Sequence, residues 1–281
     1  MNKVALITGG TSGIGFAVAE DLSKTGSWEV NILGSNQERG EKAAASLSNT
    51  TFYQVDVRNY EQLSSTFDQI FNGNRRLDFV FANAGIAEFG DYYATQPDTG
   101  IPPKPDLGVV EVNLDGALYT SYLAMHYFRR SPESSKGDRN LIFTSSIGGI
   151  YPCELSPVYV STKHALIGHV RSIGKRLWAE GIRVNAICPG VVETPLFTTS
   201  GIYISIFPKE TYIKMRIVTG VVSQLLSGTD IVDGKGMRVG NDEMHSRALQ
   251  ISAKTFFFIE KPEIHDEETQ KTWNVMMALN Q

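Results

Sequence analysis

Thr8-Gly9-Gly10-Thr11-Ser12-Gly13-Ile14-Gly15 decides the fold. It stands between the apolar run Val4–Thr8, which reads as a buried strand, and a stretch where Ile14, Val18 and Leu22 recur at helical spacing. Glycines permit a tight turn with positive φ, and the missing side chains let a pyrophosphate approach the backbone. Free N–H groups and the positive dipole end of the next helix then favour that anion. Strand, glycine turn and helix in this order point to nucleotide binding.

Outward from the turn, strand-like runs return at Glu29–Leu33, Thr51–Val57, Leu77–Ala82, Leu141–Ser145 and Ile182–Cys188. Between them lie helical patterns at Glu38–Leu47, Tyr60–Phe71, Asn113–Tyr127 and Tyr159–Glu180. The runs lack period-2 alternation, as strands covered on both faces do. The expected fold class is therefore α/β, a single doubly wound parallel sheet with helices on both faces. After Thr194 the pattern weakens: Tyr212–Leu226 reads as a helix, Lys235–Val239 as a last strand, and Asp266–Leu279 as a terminal helix. Phe256–Ile259 stands out as an isolated apolar cluster. The expected division is one catalytic domain over residues 1–241, with 242–281 as an extension packed on it or on a partner subunit.

Composition narrows the function. The 281 residues carry 26 Lys and Arg against 30 Asp and Glu, a net charge of −4, so nothing recommends nucleic acid as a partner. Two cysteines, Cys153 and Cys188, make no disulfide framework and fit a reducing compartment. No run of about 20 apolar residues suggests a membrane span, and the opening residues lack the apolar region of a signal peptide. A cytoplasmic protein is expected. His164 and His169 are five apart and do not share a helical face, so no metal site is expected.

The spacing of the turn, TGxxxGxG, resembles that of the short-chain dehydrogenase/reductase family, and four further motifs extend the likeness. Ala82-Asn83-Ala84-Gly85 follows the fourth strand, where the family carries an NNAG-like stretch; Ala82 replaces the first Asn. Asn113 opens the next long helix, as the family's helix-breaking active-site Asn does. Ser146 ends the fifth strand thirteen residues before Tyr159, which begins the YxxxK motif closed by Lys163. Pro189–Thr194 is similar to the family's PGxxxT segment. Together the motifs run in register over Val4–Thr194, and Val158–Thr194 is most similar to the 15-hydroxyprostaglandin dehydrogenase branch and related fungal dehydrogenases. The fold so implied is of Rossmann type.

Tyr159 and Lys163, four apart, share a helical face. A phenol near pKa 10 is a poor base, but a neighbouring ammonium, and an oxidised nicotinamide, would favour the phenolate. That suits Tyr159 to general acid/base work on a carbonyl or alcohol, with Ser146 donating a hydrogen bond to the same substrate oxygen. The resemblance implies that Asn113 holds a water linking Lys163 to bulk and that Lys163 contacts the ribose. In the cofactor site, Gly9, Thr11, Ser12, Gly13, Ile14 and Gly15 would meet the pyrophosphate. Asp56 and Val57 would meet the adenine, and Asn83 the ribose side. Val192 main-chain groups and the Thr194 hydroxyl would orient the carboxamide.

NAD-preferring members typically carry an acid at the end of the second strand, where this chain has Gly34. Ser35 and Asn36 can donate to a 2′-phosphate, and Arg39 lies one helical turn on. The balance favours NADP, with NAD use open.

The resemblance implies an NAD(P)-dependent oxidoreductase interconverting a secondary alcohol and a ketone. Phe197, Ile202, Tyr203, Ile204, Ile206 and Phe207, in the segment that closes the pocket in similar proteins, suggest an apolar substrate. Two alternatives stand: the same pocket used for isomerisation or cyclisation, and a non-catalytic dinucleotide sensor. The sensor has no need of Ser146, Tyr159 and Lys163 together. A homodimer is expected, because Leu114, Leu118, Ser121, Tyr122, Met125 and Phe128 share one helical face. Ala165, Val170, Ile173 and Leu177 give the YxxxK helix a further apolar surface, and similar proteins pair these two helices.

Overall fold

Val4, Ala5, Leu6 and Ile7 are all buried, which explains why the first strand, β1 (Lys3–Thr8), shows no alternation: helices cover both of its faces. The computed structural model of the chain describes residues 2–95, 100–196 and 207–278. The turn after β1 leads into α1 (Gly13–Lys24), then β2 (Trp28–Gly34), α2 (Gln37–Ala45), β3 (Thr50–Gln54), α3 (Tyr60–Asn74) and β4 (Phe79–Ala82). A long connection reaches α4 (Gly108–Val110), which runs through a π-helical segment, Glu111–Asp115, into α5 (Gly116–Arg130). Then follow β5 (Arg139–Thr144), α6 (Pro157–Ala179), β6 (Ile182–Pro189) and α7 (Met215–Leu226).

Among the described residues the main sheet has eight strands. In spatial order its first part is β3, β2, β1, β4, β5 and β6, all parallel. Strand order reverses where β1 pairs β2 on one side and β4 on the other, and a crevice opens there at the carboxyl ends of the strands. Val18 and Leu22 of α1 pack with Val218 and Val222 of α7 on one face. Phe67 of α3, Phe128 of α5 and Leu166 of α6 pack on the other. Each such side chain contributes about 1.5–3 kcal/mol when fully buried.

The C-terminal part departs from expectation. Of Lys235–Val239 only Arg238–Val239 (β8) is extended, paired antiparallel with Ile231–Val232 (β7) outside the main sheet. The cause is Asp233: its Oδ1 accepts the N–H groups of Lys235 and Met237 and its Oδ2 that of Phe258, folding the segment into a turn. The seventh strand of the main sheet is instead Arg247–Ile251 (β9), parallel to β6. Phe256–Ile259 is no isolated cluster but β10, antiparallel to β9, with Phe256 and Phe258 turned into the core. Residues beyond 241 thus supply two of the eight strands. The terminal helix, α8 (Glu267–Ala278), has every residue exposed.

Two local differences concern the site. Asn113 does not open a helix; it lies inside the π segment, which widens the turn around it. The third strand stops at Gln54, short of Val57, because Asp56 turns to accept from the Arg58 N–H at 3.0 Å. Among the described residues no helix is long and apolar enough to cross a membrane.

Candidate active site

A cavity of about 500 Å³ opens at the carboxyl ends of β1, β2, β4, β5 and β6, running from the glycine turn at one end to Tyr159 at the other. The turn is built on left-handed backbone at Gly9 (φ 65°) and Gly13 (φ 55°). A Cβ on Gly9 would lie 2.8 Å from the Ala84 Cα, and one on Gly15 would collide with the Gly9 carbonyl. Gly15 therefore serves packing and does not line the cavity, whereas Gly9, Thr11, Ser12, Gly13 and Ile14 do. Ser12 caps α1 without a side-chain hydrogen bond. A helix N-terminus of this kind, with glycine at two of the turn positions that line the cavity, suits a diphosphate.

Behind the turn, Asn83 fixes three strand ends. Its Nδ2 donates to the carbonyls of Thr8 (3.2 Å) and Gly9 (3.3 Å), and its Oδ1 accepts from Thr144 Oγ1 at 2.9 Å. It lines the cavity, but its amide is spent on holding the turn in place. Asp56 and Val57 line the cavity as well. The Asp56 carboxylate is paired with Arg58 (Nη2–Oδ2 2.6 Å), whose guanidinium holds it below the usual carboxylate range. Arg58 is itself a lining residue that the sequence reading passed over, although it directly follows Asp56-Val57.

At the end of β2, Gly34 and Ser35 line the cavity and Asn36 does not. Asn36 is the N-cap of α2, its Oδ1 accepting the Arg39 N–H at 2.8 Å. Arg39 reaches back across Gly34, its Nε donating to Thr11 Oγ1 at 3.3 Å, and lines the cavity beside the turn. A Cβ at Gly34 would lie 2.8 Å from Thr11 Cγ2, so the glycine keeps this approach open.

At the other end, β5 delivers Ser146 and the first turn of α6 delivers Tyr159 and, one turn on, Lys163. All three line the cavity. Lys163 Nζ donates to the Thr144 carbonyl at 2.9 Å and lies 5.5 Å from the centre of the Tyr159 ring. Ser146 Oγ accepts from the Gly148 N–H at 3.1 Å, leaving its proton for the cavity. Asn113 is fully buried, and its carboxamide is taken up by Ile86: Oδ1 accepts the Ile86 N–H (2.8 Å) and Nδ2 donates to the Ile86 carbonyl (2.9 Å). It sits outside the cavity lining, next to it: a Cβ on Gly85 would be 3.3 Å from Asn113 Oδ1 and 3.5 Å from Lys163 Nζ.

Burial sets the electrostatics here. It raises the Tyr159 pKa above its ordinary value, against a smaller lowering by the Ser146 hydroxyl. It pushes the Lys163 ammonium down to about 8 and the thiol of Cys188, behind the pair, up to about 12. An ammonium that pulls the phenol down is the expectation from spacing; in the protein alone desolvation dominates, and the lowering comes from the Ser146 hydroxyl. Val192 and Thr194 close the cavity from the β6 side, Thr194 packing over Gly13. Of the apolar residues expected to close the pocket, Phe197, Ile202, Tyr203, Ile204 and Ile206 lie outside the described residues.

The cavity thus joins a glycine turn at a helix N-terminus to a hydroxyl pair backed by a cation, a donor set that fits a nicotinamide dinucleotide. Comparison with known proteins gives the same picture. The short chain dehydrogenase family profile matches residues 3–201. The chain is 37% identical to the short-chain dehydrogenase/reductase prx7 of Penicillium rubens over 95% of this chain and 98% of that one. It is 34% identical to the NAD(+) 15-hydroxyprostaglandin dehydrogenase of Bos taurus over 69% of this chain and 70% of that one. Among solved structures it is similar to ElxO with NADP bound, at a TM-score of 0.72 and 26% identity, covering 90% of this chain and 98% of that one.

Proposed function

The chain belongs to the short-chain dehydrogenase/reductase family of NAD(P)-dependent enzymes, and from that premise we propose that it interconverts a secondary alcohol and a ketone on an apolar small molecule. The observation that carries this reading is the convergence of Ser146, Tyr159 and Lys163 on one end of a cavity whose other end is the glycine turn. When bound, the nicotinamide cofactor supplies or accepts the hydride. The protein's own part is the proton and the oxygen. Ser146 donates a hydrogen bond to the substrate oxygen, and Tyr159 gives its phenolic proton to that oxygen in reduction or takes one from it in oxidation. Lys163 stabilises the phenolate by charge and is itself held by its hydrogen bond to the Thr144 carbonyl. Asn113 acts through Ile86, holding the wall next to Lys163.

For the cofactor, Gly9, Thr11, Ser12, Gly13 and Ile14 hold the diphosphate, Asp56 and Val57 border the adenine, and Val192 and Thr194 orient the carboxamide. Gly15 and Asn83 act behind them by packing and by tying down the turn. Arg39 at the rim beside Gly34 supports a preference for NADP, since it is a cation where a 2′-phosphate would sit. Ser35 adds a hydroxyl donor. Phe89 and Leu196, apolar side chains of the cavity lining, support an apolar substrate.

A homodimer through α5 and α6 belongs to the same reading. Ser121 and Phe128 are buried within the subunit, Ser121 against His169 at 3.0 Å, so the exposed ridge is carried instead by Tyr119 and Tyr122. A monomer mass by light scattering at micromolar concentration would overturn it.

The test of the function is a cofactor-coupled absorbance screen over secondary alcohols and ketones. Turnover that needs Tyr159 supports the proposal. Turnover that survives in Tyr159→Phe, or none across the whole panel, defeats it.

A further inference from the structure

The first turn of α6 has an unusual partner. Pro157 at its start has no N–H, and Ser156 before it makes no side-chain cap. The Tyr159 N–H, one of the donors a helix start leaves unmet, is instead taken by Glu88 Oε2 at 2.7 Å, from 71 positions away. A carboxylate there is well matched to the positive end of the helix, and its hydrogen bond is charge-assisted.

What makes the contact more than a cap is what lies beside it. Ile86 is held at both its N–H and its carbonyl by Asn113, Ala87 is buried, and Phe89, the next residue after Glu88, lines the cavity while half its surface stays exposed. The segment leaving β4 is therefore pinned twice: by Asn113 at Ile86 and by the backbone of Tyr159 at Glu88. A Ser156 cap would secure α6 equally well but would leave Phe89 unheld.

We propose that Glu88 is a positioning residue, fastening the segment that carries Phe89 to the first turn of α6 so that one contact sets both the substrate wall and the proton-transferring Tyr159. The proposal rests on the oxidoreductase reading for the word substrate; the clamp itself does not.

Hydrogen exchange on the full-length protein tests the clamp without turnover. Glu88→Ala should speed exchange of the Tyr159 amide about tenfold and also of peptides spanning residues 84–95. Glu88→Gln, which keeps an acceptor oxygen, should recover most of the protection. Loss confined to α6 with residues 84–95 unchanged would make Glu88 a plain cap, and no change at either place would remove the contact altogether; both overturn the proposal. Kinetics with 2-decanol as probe give the second readout. Phe89→Ala should raise KM with kcat nearly constant, whereas Glu88→Ala should raise KM and also lower kcat because it frees the first turn of α6, both with NADP affinity nearly constant. The double variant should raise KM no further than Phe89→Ala alone, because both act on KM through one wall. Additive effects overturn the proposal. A wild-type protein that turns over no alcohol counts against the oxidoreductase reading alone, and the exchange results still decide Glu88.

Discussion

Gly34 is the position where the cofactor preference can be worked through from distances. A Cβ placed there would lie 2.8 Å from Thr11 Cγ2 and 3.0 Å from Thr11 Oγ1, and Thr11 is only 6% exposed, so it must shift. Overpacking of this kind costs about 1–3 kcal/mol, which lowers Tm by roughly 2–10 °C for a domain of this size. Gly34→Ala should show that loss, together with some loosening of the Arg39 contact to Thr11 Oγ1. Gly34→Asp adds a carboxylate beside Arg39, which neutralises the cation and repels a 2′-phosphate. Losing one charge-assisted contact, about 1.5–3 kcal/mol, weakens NADP binding by roughly 10–100-fold beyond the alanine variant, while NAD gains an acceptor for its ribose hydroxyls. Titration of both cofactors against intrinsic fluorescence, with Trp28 on β2 as a reporter, measures this. NADP affinity in Gly34→Asp within twofold of Gly34→Ala would refute the argument. So would wild-type protein that binds NAD tenfold tighter than NADP, or an Arg39→Ala variant with unchanged NADP affinity.

Tyr159→Phe keeps the ring and removes the titrating hydroxyl, so turnover should fall by ~10²-fold or more while cofactor still binds; more than about a tenth of the activity left would contradict proton transfer at Tyr159. Lys163 offers a pH test of stability. Its pKa of about 8 in the fold lies below its ordinary 10.5, so the unfolded chain binds more protons between these values and this group makes the fold more stable as pH rises through that window. The Tm difference between Lys163→Met and wild type should therefore move in favour of wild type from pH 7 to pH 10, and a pH-independent difference would show that the ammonium is not paying for burial. Truncation after Val239 removes β9 and β10 and should give insoluble protein; a soluble, fully active truncation would contradict the role of these strands.

Much of the fold could be read from the chain because its central strands are short, apolar and separated by helical periods. β4 and β6 are buried along their whole lengths and β1 at every residue after Lys3, and their sequences say so. The last parallel strand escaped because Arg247-Ala248-Leu249-Gln250-Ile251 carries polar residues at two of five positions, while Lys235–Val239 looks equally extended. What separates them is Asp233, whose side chain bends the second segment by contacts that no local pattern announces. In the site, Ser146, Tyr159 and Lys163 were legible by spacing, and the structure brings them to one cavity. Asn36 misled because a cap and a phosphate ligand call for the same residue type. Glu88 was missed because it gains its place through Tyr159, 71 positions away; Arg58 is held by Asp56 only two positions off, and no local pattern announces that this pair faces the cavity.

The parallel pairing of β6 with β9 also has a timetable. During synthesis β6 is complete long before its outer neighbour exists, since 57 residues separate Pro189 from Arg247. At about 5–20 residues per second, that edge waits roughly 3–11 s with its ladder groups unpaired. Ile187 and Cys188, buried in the finished protein, lie along this edge. An apolar open edge is a template for pairing with other chains. The interval in which the nascent protein most needs protection therefore falls after its catalytic segment has been made and before its last two strands have arrived.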